Sequence, residues 1–392
     1  MDFDESAIID SIRVVEVSIP LAVPFQISGG ICRLRHSLII ELTSGRVTGY
    51  GEAAPFDQPF YSSETFSSVR ALWQECLLPR LIGQRLVSIA HLNRILTEGV
   101  RGNPFARAGV ETAYWDLIAR RNHLSLQELL HRYLRQLGVG EEDLAPRSYL
   151  DSGVSIGIPE DGSYDTLRRW VAGYAEEGYR RIKIKIKPGW DLAAVRVSRE
   201  VLGREFPFWV DANSSFDLTQ HVGILQEMDS YDCLFYEQPL HHDDILDHAE
   251  LTSLVRTPIC LDESLKSYRI GEQVVKQEAS RIWNIKVQRV GGLWEAVHLY
   301  KLAVQNGISL WAGTMPETGV GTMAIVALGS FQEFRYPSDV EASRRWYGPG
   351  QDLLEIEVTA DGRIELPEAE GIGTIDMDNY HRFGKLLWQL KK

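Results

Sequence analysis

The stretch "RIKIKIKPGW", residues 181–190, sets three lysines on alternate positions of an isoleucine-rich run. Period-two alternation predicts a β-strand and sends Lys183, Lys185 and Lys187 to the same side of it. If that side is solvent, the stretch is an ordinary half-exposed strand with its isoleucines on the core. If it faces inward, three amines share one buried surface, which is costly unless the protein uses them. The ten residues alone leave both arrangements open.

The flanking chain repeats. Short β-branched runs occur at "SGVSIGI" (152–158), "RIKIKIK" (181–187), "PFWVDAN" (207–213), "CLFYEQP" (233–239), "PICLDES" (258–264), "RIWNIKV" (281–287), "GISLWAG" (307–313) and, more weakly, "FQEFRYP" (331–337). Segments of helical pattern separate them, such as "DGSYDTLRRWVAGYAEEG" and "LWEAVHLYKLAVQNG". Strand–helix alternation at about 25 residues per unit is the mark of parallel βαβ units. Eight of them predict an α/β protein built on a (β/α)8-type barrel. No GxGxxG opens a helix after a strand, so the usual dinucleotide fingerprint is missing.

Upstream the pattern differs. Residues 11–52 read as strands: "SIRVVEVSIPL" and "LRHSLIIELTSG" alternate apolar and polar positions, and "RVTGYGEAAP" follows a Ser-Gly turn. From about 62 to 133 the pattern is helical, most clearly in "FARAGVETAYWDLIARR" (105–121), where Ala106, Val110, Ala113 and Leu117 recur at helical spacing. The polar stretch "QLGVGEEDLAP" (136–146) reads as a linker. The expected organisation is an N-terminal α+β capping domain over 1–135, the barrel over 136–370, and a C-terminal segment, 371–392, packing back on the cap.

Composition narrows the class. A chain of 392 residues, 44% hydrophobic and 24% charged, is long enough for one large domain and a smaller partner, and is soluble in character. Its net charge of −13 argues against a nucleic-acid surface. No apolar run approaches the roughly 20 residues of a membrane span. The acidic start "MDFDESAIIDS" lacks the order of a signal peptide, so a cytoplasmic protein is expected. A homo-oligomer acting on a small-molecule carboxylate is a separate expectation. Cys32, Cys76, Cys233 and Cys260 lie far apart with no CxxC spacing, so free thiols are expected.

Three successive strands end on an acid: Asp211, Glu237 and Asp262, spaced by 26 and 25 residues, one βα unit each. Equivalent strand ends of a barrel converge at one mouth, so these carboxylates should meet there. Converging carboxylates repel unless a cation joins them, and an all-oxygen set suits Mg2+ or Mn2+ better than Zn2+. A single acid at such a place is as readily a helix cap; three in register are not. Lys286 follows Asp262 by 24 residues at the next strand end, while the lysine strand lies one unit before Asp211. The mouth then reads lysine, acid, acid, acid, lysine, and the lysine face becomes the barrel interior. Lys187, next to Pro188-Gly189, belongs at the rim. Lys185 is the candidate general base, with Lys183 below it as a like charge that favours the neutral amine. A metal ion holding a substrate carboxylate would stabilise the enediolate left by loss of the α-proton, the pairing of base and metal known from enolase-type sites.

These motifs resemble the enolase superfamily, muconate-lactonizing branch, over nearly the whole chain. "ARAGVETAYWDLIARR", "KIKIKPGWD", "VDANSSF", "FYEQPLHHDDILDHAEL", "TPICLDES" and "NIKVQRVGG" look like its helix before the barrel and its successive strand ends. Within that branch, "EQPLHHDDILDHAELTSLVRTPICLDES" and "GTMPETGVG" are most similar to o-succinylbenzoate synthases and N-succinylamino acid (N-acylamino acid) racemases. The resemblance implies Asp211, Glu237 and Asp262 as metal ligands and Lys185 and Lys286 as acid/base residues on opposite faces. It implies Lys183, Asn213, Arg289 and Glu317 as supporting or substrate-binding residues. The implied reaction is dehydration of 2-succinyl-6-hydroxy-2,4-cyclohexadiene-1-carboxylate in menaquinone biosynthesis, with racemization of N-succinylamino acids as a related activity. Dipeptide epimerase and muconate cycloisomerase use the same machinery, and a catalytically silent barrel serving as a binding scaffold is the non-enzyme alternative.

The chain also departs from the family. Val287-Gln288 stands where Pro-Gly is usual, and "PSDVEAS" carries Glu341 where a small residue is usual. The acid pair there, Asp339 and Glu341, resembles dipeptide epimerases, which use such acids to hold a substrate ammonium; a surface position for Glu341 is the expectation. Two cap loops are expected to close the site: "FQISGGICRL" (25–34), with a glycine pair suited to a lid, and "PFDQPFYSSET" (55–65), with Phe56, Phe60 and Tyr61 as a wall. "HHDD" (241–244) is expected to open a helix rather than bind metal.

Overall fold

The computed structural model describes residues 3–27, 30–59 and 61–392. Three long strands, β1 (Ser11–Ile27), β2 (Gly30–Ser44) and β3 (Val47–Ala53), form an antiparallel sheet. Alternation in β1 buries Ile12, Val14 and their neighbours, and Val14 pairs with Ile40. Helices α1 (Phe66–Leu72), α2 (Ile89–Thr97), α3 (Pro104–Arg121) and α4 (Leu126–Gln136) complete the cap. The one-faced pattern expected of α3 understates its burial. Every residue from Phe105 to Ala119 is buried except Arg107, because the helix lies between the cap sheet and the barrel. Gly51 of β3 permits this: a Cβ there would meet the Gly109 carbonyl oxygen at 2.2 Å.

The barrel strands are β4 (Val154–Ile156), β5 (Ile182–Lys185), β6 (Phe208–Asp211), β7 (Tyr236–Glu237), β8 (Ile259–Leu261), β9 (Ile282–Ile285), β10 (Ser309–Ala312) and β11 (Phe334–Tyr336). They are parallel and hydrogen-bonded in sequence order. A Ser152–Ser338 bridge joins the two ends and closes the ring. Helices α5 (Tyr164–Glu176), α6 (Leu192–Leu202), α7 (Leu218–Met228), α8 (Ile245–Leu254), α9 (Tyr268–Gln277), α10 (Leu293–Asn306) and α11 (Gly319–Gly329) follow the first seven strands, with a four-residue turn of helix, Val287–Val290, before α10. All eight expected strands are present. A last strand, β12 (Gly384–Lys391), runs antiparallel beside β1.

The cap does more than rest on the barrel. Helices α10 and α11 have no side-chain cap of their own. Glu111 of α3 accepts hydrogen bonds from the Leu293 and Trp294 amides, at 2.6 and 2.7 Å. Glu52 of β3 accepts from the amides of Thr318 (3.1 Å) and Gly321 (2.9 Å) and from the Thr318 hydroxyl. Two cap glutamates thus satisfy orphan amides of two barrel helices and complement their dipoles. Gly292 leaves room for this: a Cβ there would lie 2.4 Å from a Glu111 oxygen.

Inside the ring, Trp209, Phe235, Cys260, Ile282 and Trp311 fill the floor. The Arg181 guanidinium lies over the Trp209 ring, 4.3 Å from its centroid.

Candidate active site

The next inward layer above that floor carries charge. Lys183 is 1% exposed, and Lys185 follows at the end of β5. The lysine side of 181–187 is therefore the barrel interior, while Lys187 is exposed past the strand end.

Asp211 ends β6, Glu237 ends β7, and Asp262 follows β8 by one residue. All three are buried, and one oxygen of each lies within 4.8 Å of those of the other two. Cations surround them. Lys185 Nζ is 2.5 Å from Asp211 Oδ2 and Lys286 Nζ is 2.9 Å from Asp262 Oδ2. Arg289 pairs with the other Asp262 oxygen. Lys183 Nζ lies 3.4, 3.2 and 3.3 Å from oxygens of Asp211, Glu237 and Asp339. Burial pushes the Asp211 carboxyl up, but Lys185 and Lys183 outweigh it and hold the group low. Glu237 goes the other way: burial and then the Asp211 charge raise it. Three buried carboxylates offering only oxygen suit a hard divalent ion, so the residues present fit one.

The like charge expected to act on Lys185 is not free. Burial would lower the Lys183 amine, yet Asp339, Glu237 and Asp211 together raise it, so Lys183 is a paired cation within the carboxylate layer. Asn213 has φ +43°, a left-handed conformation that asparagine tolerates, just past β6. It donates from its side chain to Glu263 Oε1 at 2.8 Å and from its amide to Asp211 Oδ1 at 2.9 Å.

A cavity of ≈190 Å³ opens at this mouth, with Lys185 and Lys286 both in its wall. That is room for a small molecule. The cap contributes Phe56 and Tyr61; Phe60 and the tip of the 25–34 loop, Ser28-Gly29, lie outside the described residues. Arg289 is buried behind Asp262, its Nε donating to the Leu265 carbonyl at 3.1 Å, and it does not line the cavity. Glu317 stands aside too, in the lining of a smaller adjoining cavity. There burial, and then the Glu52 charge, push its carboxyl up to about 8.

Glu341 requires a correction. It is 4% exposed and lines the cavity, so it is not a surface residue. The chain after β11 turns back across the barrel end, and the side chain points inward. Its Oε1 accepts from the Ser155 amide at 2.9 Å, and the carboxylate pairs with Arg345 one helical turn on. Asp339 is likewise engaged, by Arg181 at 2.7 Å, by Lys183 and by the Ser155 hydroxyl. Burial would raise Asp339, but Lys183 and Arg181 hold it far below the usual carboxylate range.

Three further residues were not singled out from the sequence. Glu263, beside Asp262 in "LDES", lines the cavity, and among the described residues its Oε2 has no hydrogen-bond partner. Gln238, of "YEQP", has φ +38°, and its Oε1 accepts from the Asp262 and Ser264 amides at 3.0 Å each. It thereby fixes where Asp262 begins. Trp346 closes the outer wall. For the first two the signal was adjacency to a strand-end acid. Trp346 carried none. "HHDD" opens α8 as expected, with Asp244 as its N-cap. His241, His242 and Asp243 could converge on an ion, but Lys266 Nζ already sits 2.5 Å from Asp243.

The chain matches two family models: "Mandelate racemase / muconate lactonizing enzyme, N-terminal domain" over residues 9–131 and "Enolase C-terminal domain-like" over 166–380. It belongs to the enolase superfamily. Among curated relatives, an o-succinylbenzoate synthase of Geobacillus kaustophilus is 35% identical over 383 residues, 96% of this chain and 97% of that one. An N-succinylamino acid racemase of Thermus thermophilus is 37% identical over 363 residues, 92% of each chain. A solved structure of an enolase superfamily member from Listeria innocua superposes with a TM-score of 0.88 at 32% identity, covering 98% of this chain and 99% of that one. The superfamily's enzymes use a divalent metal, and the buried Asp211, Glu237 and Asp262 form a candidate site for it. No described helix of the chain is long and apolar enough to cross a membrane.

Proposed function

We propose that the protein is an o-succinylbenzoate synthase, dehydrating 2-succinyl-6-hydroxy-2,4-cyclohexadiene-1-carboxylate, and that the same site racemizes N-succinylamino acids. The observation that carries this is the pair Lys185 and Lys286 in the wall of one cavity, each paired with one of the three clustered carboxylates, Asp211 and Asp262. Asp211, Glu237 and Asp262 would hold one Mg2+, which supplies positive charge where the substrate carboxylate gains electron density. Lys185 takes the α-proton and the C–H electrons move into the carboxylate. Lys286, as a cation, stabilises the enediolate. Lys185 then delivers its proton to the departing hydroxyl, the C–O bond breaks, and water leaves as the ring becomes aromatic. In racemization the second proton comes from the opposite face, so the two lysines act as base and acid in turn.

Charge supports an anionic substrate. Asp211, Glu237, Asp262, Glu263, Asp339 and Glu341 are matched in number by Arg181, Lys183, Lys185, Lys286, Arg289 and Arg345. With Lys185 neutral as the base, a divalent ion leaves the site with one positive charge in excess, which suits an anionic substrate. The acids that could hold a substrate ammonium, Asp339 and Glu341, are already paired with cations, and this disfavours a dipeptide. The same reading takes residues 1–135 as the cap, 136–370 as the barrel and 371–392 as a return to the cap, in a cytoplasmic homo-oligomer.

Incubating the chain with Mg2+ and the cyclohexadiene substrate should yield o-succinylbenzoate, and K185A should abolish the yield. Wild-type protein that binds metal but forms no product would favour the silent scaffold.

A further inference from the structure

Lys185 and Lys286 are held differently. Among the described residues, the partner of Lys185 Nζ is Asp211, a barrel residue. Lys286 Nζ is held by Asp262 of the barrel and, at 3.1 Å, by the hydroxyl of Tyr61, which belongs to the cap. The Tyr61 ring also lies against the amine, its centroid 5.1 Å from Nζ. The loop bearing Tyr61 is pinned at both ends. Arg35 donates to the Ala54 and Pro55 carbonyls. Glu64, 2% exposed, accepts from the Phe105 and Ala106 amides at 2.8 and 2.9 Å, in the first turn of α3. Phe56 packs edge-on to the Tyr61 ring, with centroids 6.5 Å apart. Tyr61 is therefore placed by a fixed frame and not by chance contact.

We propose that Tyr61 is a positioning residue for Lys286, so that the acid/base group on one face of the substrate depends on the cap while the group on the other face does not. A lysine side chain has four rotatable bonds and a compact charge that settles wherever its partners put it. Asp262 alone would draw Lys286 Nζ towards the carboxylate layer. The Tyr61 oxygen and ring supply a second point of attachment on the cavity side, fixing the amine where an α-carbon has to sit. Proton transfer is sensitive to such placement, because small displacements of a reacting group cost rate steeply.

This rests on the two-lysine reading above, and the test separates the two. With Mg2+ bound and in D2O, α-proton exchange of each enantiomer of an N-succinylamino acid is followed by NMR. The single variants K185A and K286A assign one enantiomer to each lysine. Y61F is expected to slow exchange on the Lys286 face about tenfold, as for a lost hydrogen bond to a charged group, and to leave the Lys185 face within about twofold. Y61L, which removes the ring as well, should slow the Lys286 face further. A merely structural role would lower both faces together. Equal slowing of both faces, or no change in either variant, overturns the inference while wild-type exchange leaves the two-lysine reading intact. Wild-type protein that exchanges neither enantiomer overturns both.

Discussion

A single side chain at the mouth is worth what its neighbours leave unpaired. Glu237 is buried between Asp211, Lys183 and the Trp209 indole, which donates to it at 3.2 Å. Replacing it by Gln keeps the shape and removes one anionic ligand. Metal affinity by calorimetry should fall by more than about a hundredfold, beyond the loss usual for an outer-shell change; unchanged affinity would remove Glu237 from the site. Asp339 tests the charge layer instead. D339N strips one partner from two buried cations, Arg181 and Lys183, and should cost about 3 kcal/mol in denaturant unfolding. A cost near zero would mean that Asp211 and Glu237 suffice for Lys183. The three strand-end acids and both lysines stood out in the sequence because strand ends converge at a fixed interval. The buried, paired placement of Asp339 and Glu341 did not, because they follow the short eighth strand in a stretch whose path no periodicity fixes. The same limit hid the neutralisation of Lys183, since a like charge two residues away is visible in sequence and its three distant partners are not.

At the scale of elements, the eight strands and the helix over 104–121 were readable from period and length. The capping of α10 and α11 by Glu111 and Glu52 was not, because each bond spans more than 180 residues. These links carry a pH signature. Burial pushes the Glu111 carboxyl up to about 7 despite the hydrogen bonds it accepts from Trp115, Trp294 and Leu293. The native chain then keeps a proton that the unfolded chain releases near pH 4.3. Its contribution to stability therefore falls as pH rises from about 4.3 to about 7, and is level above that. In E111Q that slope is absent. The stability gap between wild type and E111Q, from urea unfolding at pH 5, 6 and 8, should shift against the wild type as pH rises. A gap that holds constant would show Glu111 ionised throughout.

For the molecule as a whole, cap and barrel share one function: the barrel supplies the carboxylate layer and both lysines, and the cap supplies Phe56 and Tyr61 over them. Fold and chemistry were legible together because a closed parallel barrel turns sequence spacing into spatial convergence. Substrate choice was less so, since it depends on which charges remain uncompensated, and only the pairing of Glu341 with Arg345 and of Asp339 with Arg181 and Lys183 makes that visible. The central claim is abstraction of the proton α to a carboxylate in a dicarboxylate substrate. The most direct test is a side-by-side measurement of kcat/KM, with Mg2+, for the cyclohexadiene precursor, an N-succinylamino acid and a dipeptide with a free ammonium group. The precursor and the N-succinylamino acid should both turn over, the dipeptide at least about a hundredfold less well, in keeping with the unpaired charge it would bury. A clear preference for the dipeptide would contradict the account and make Glu341 a binding residue.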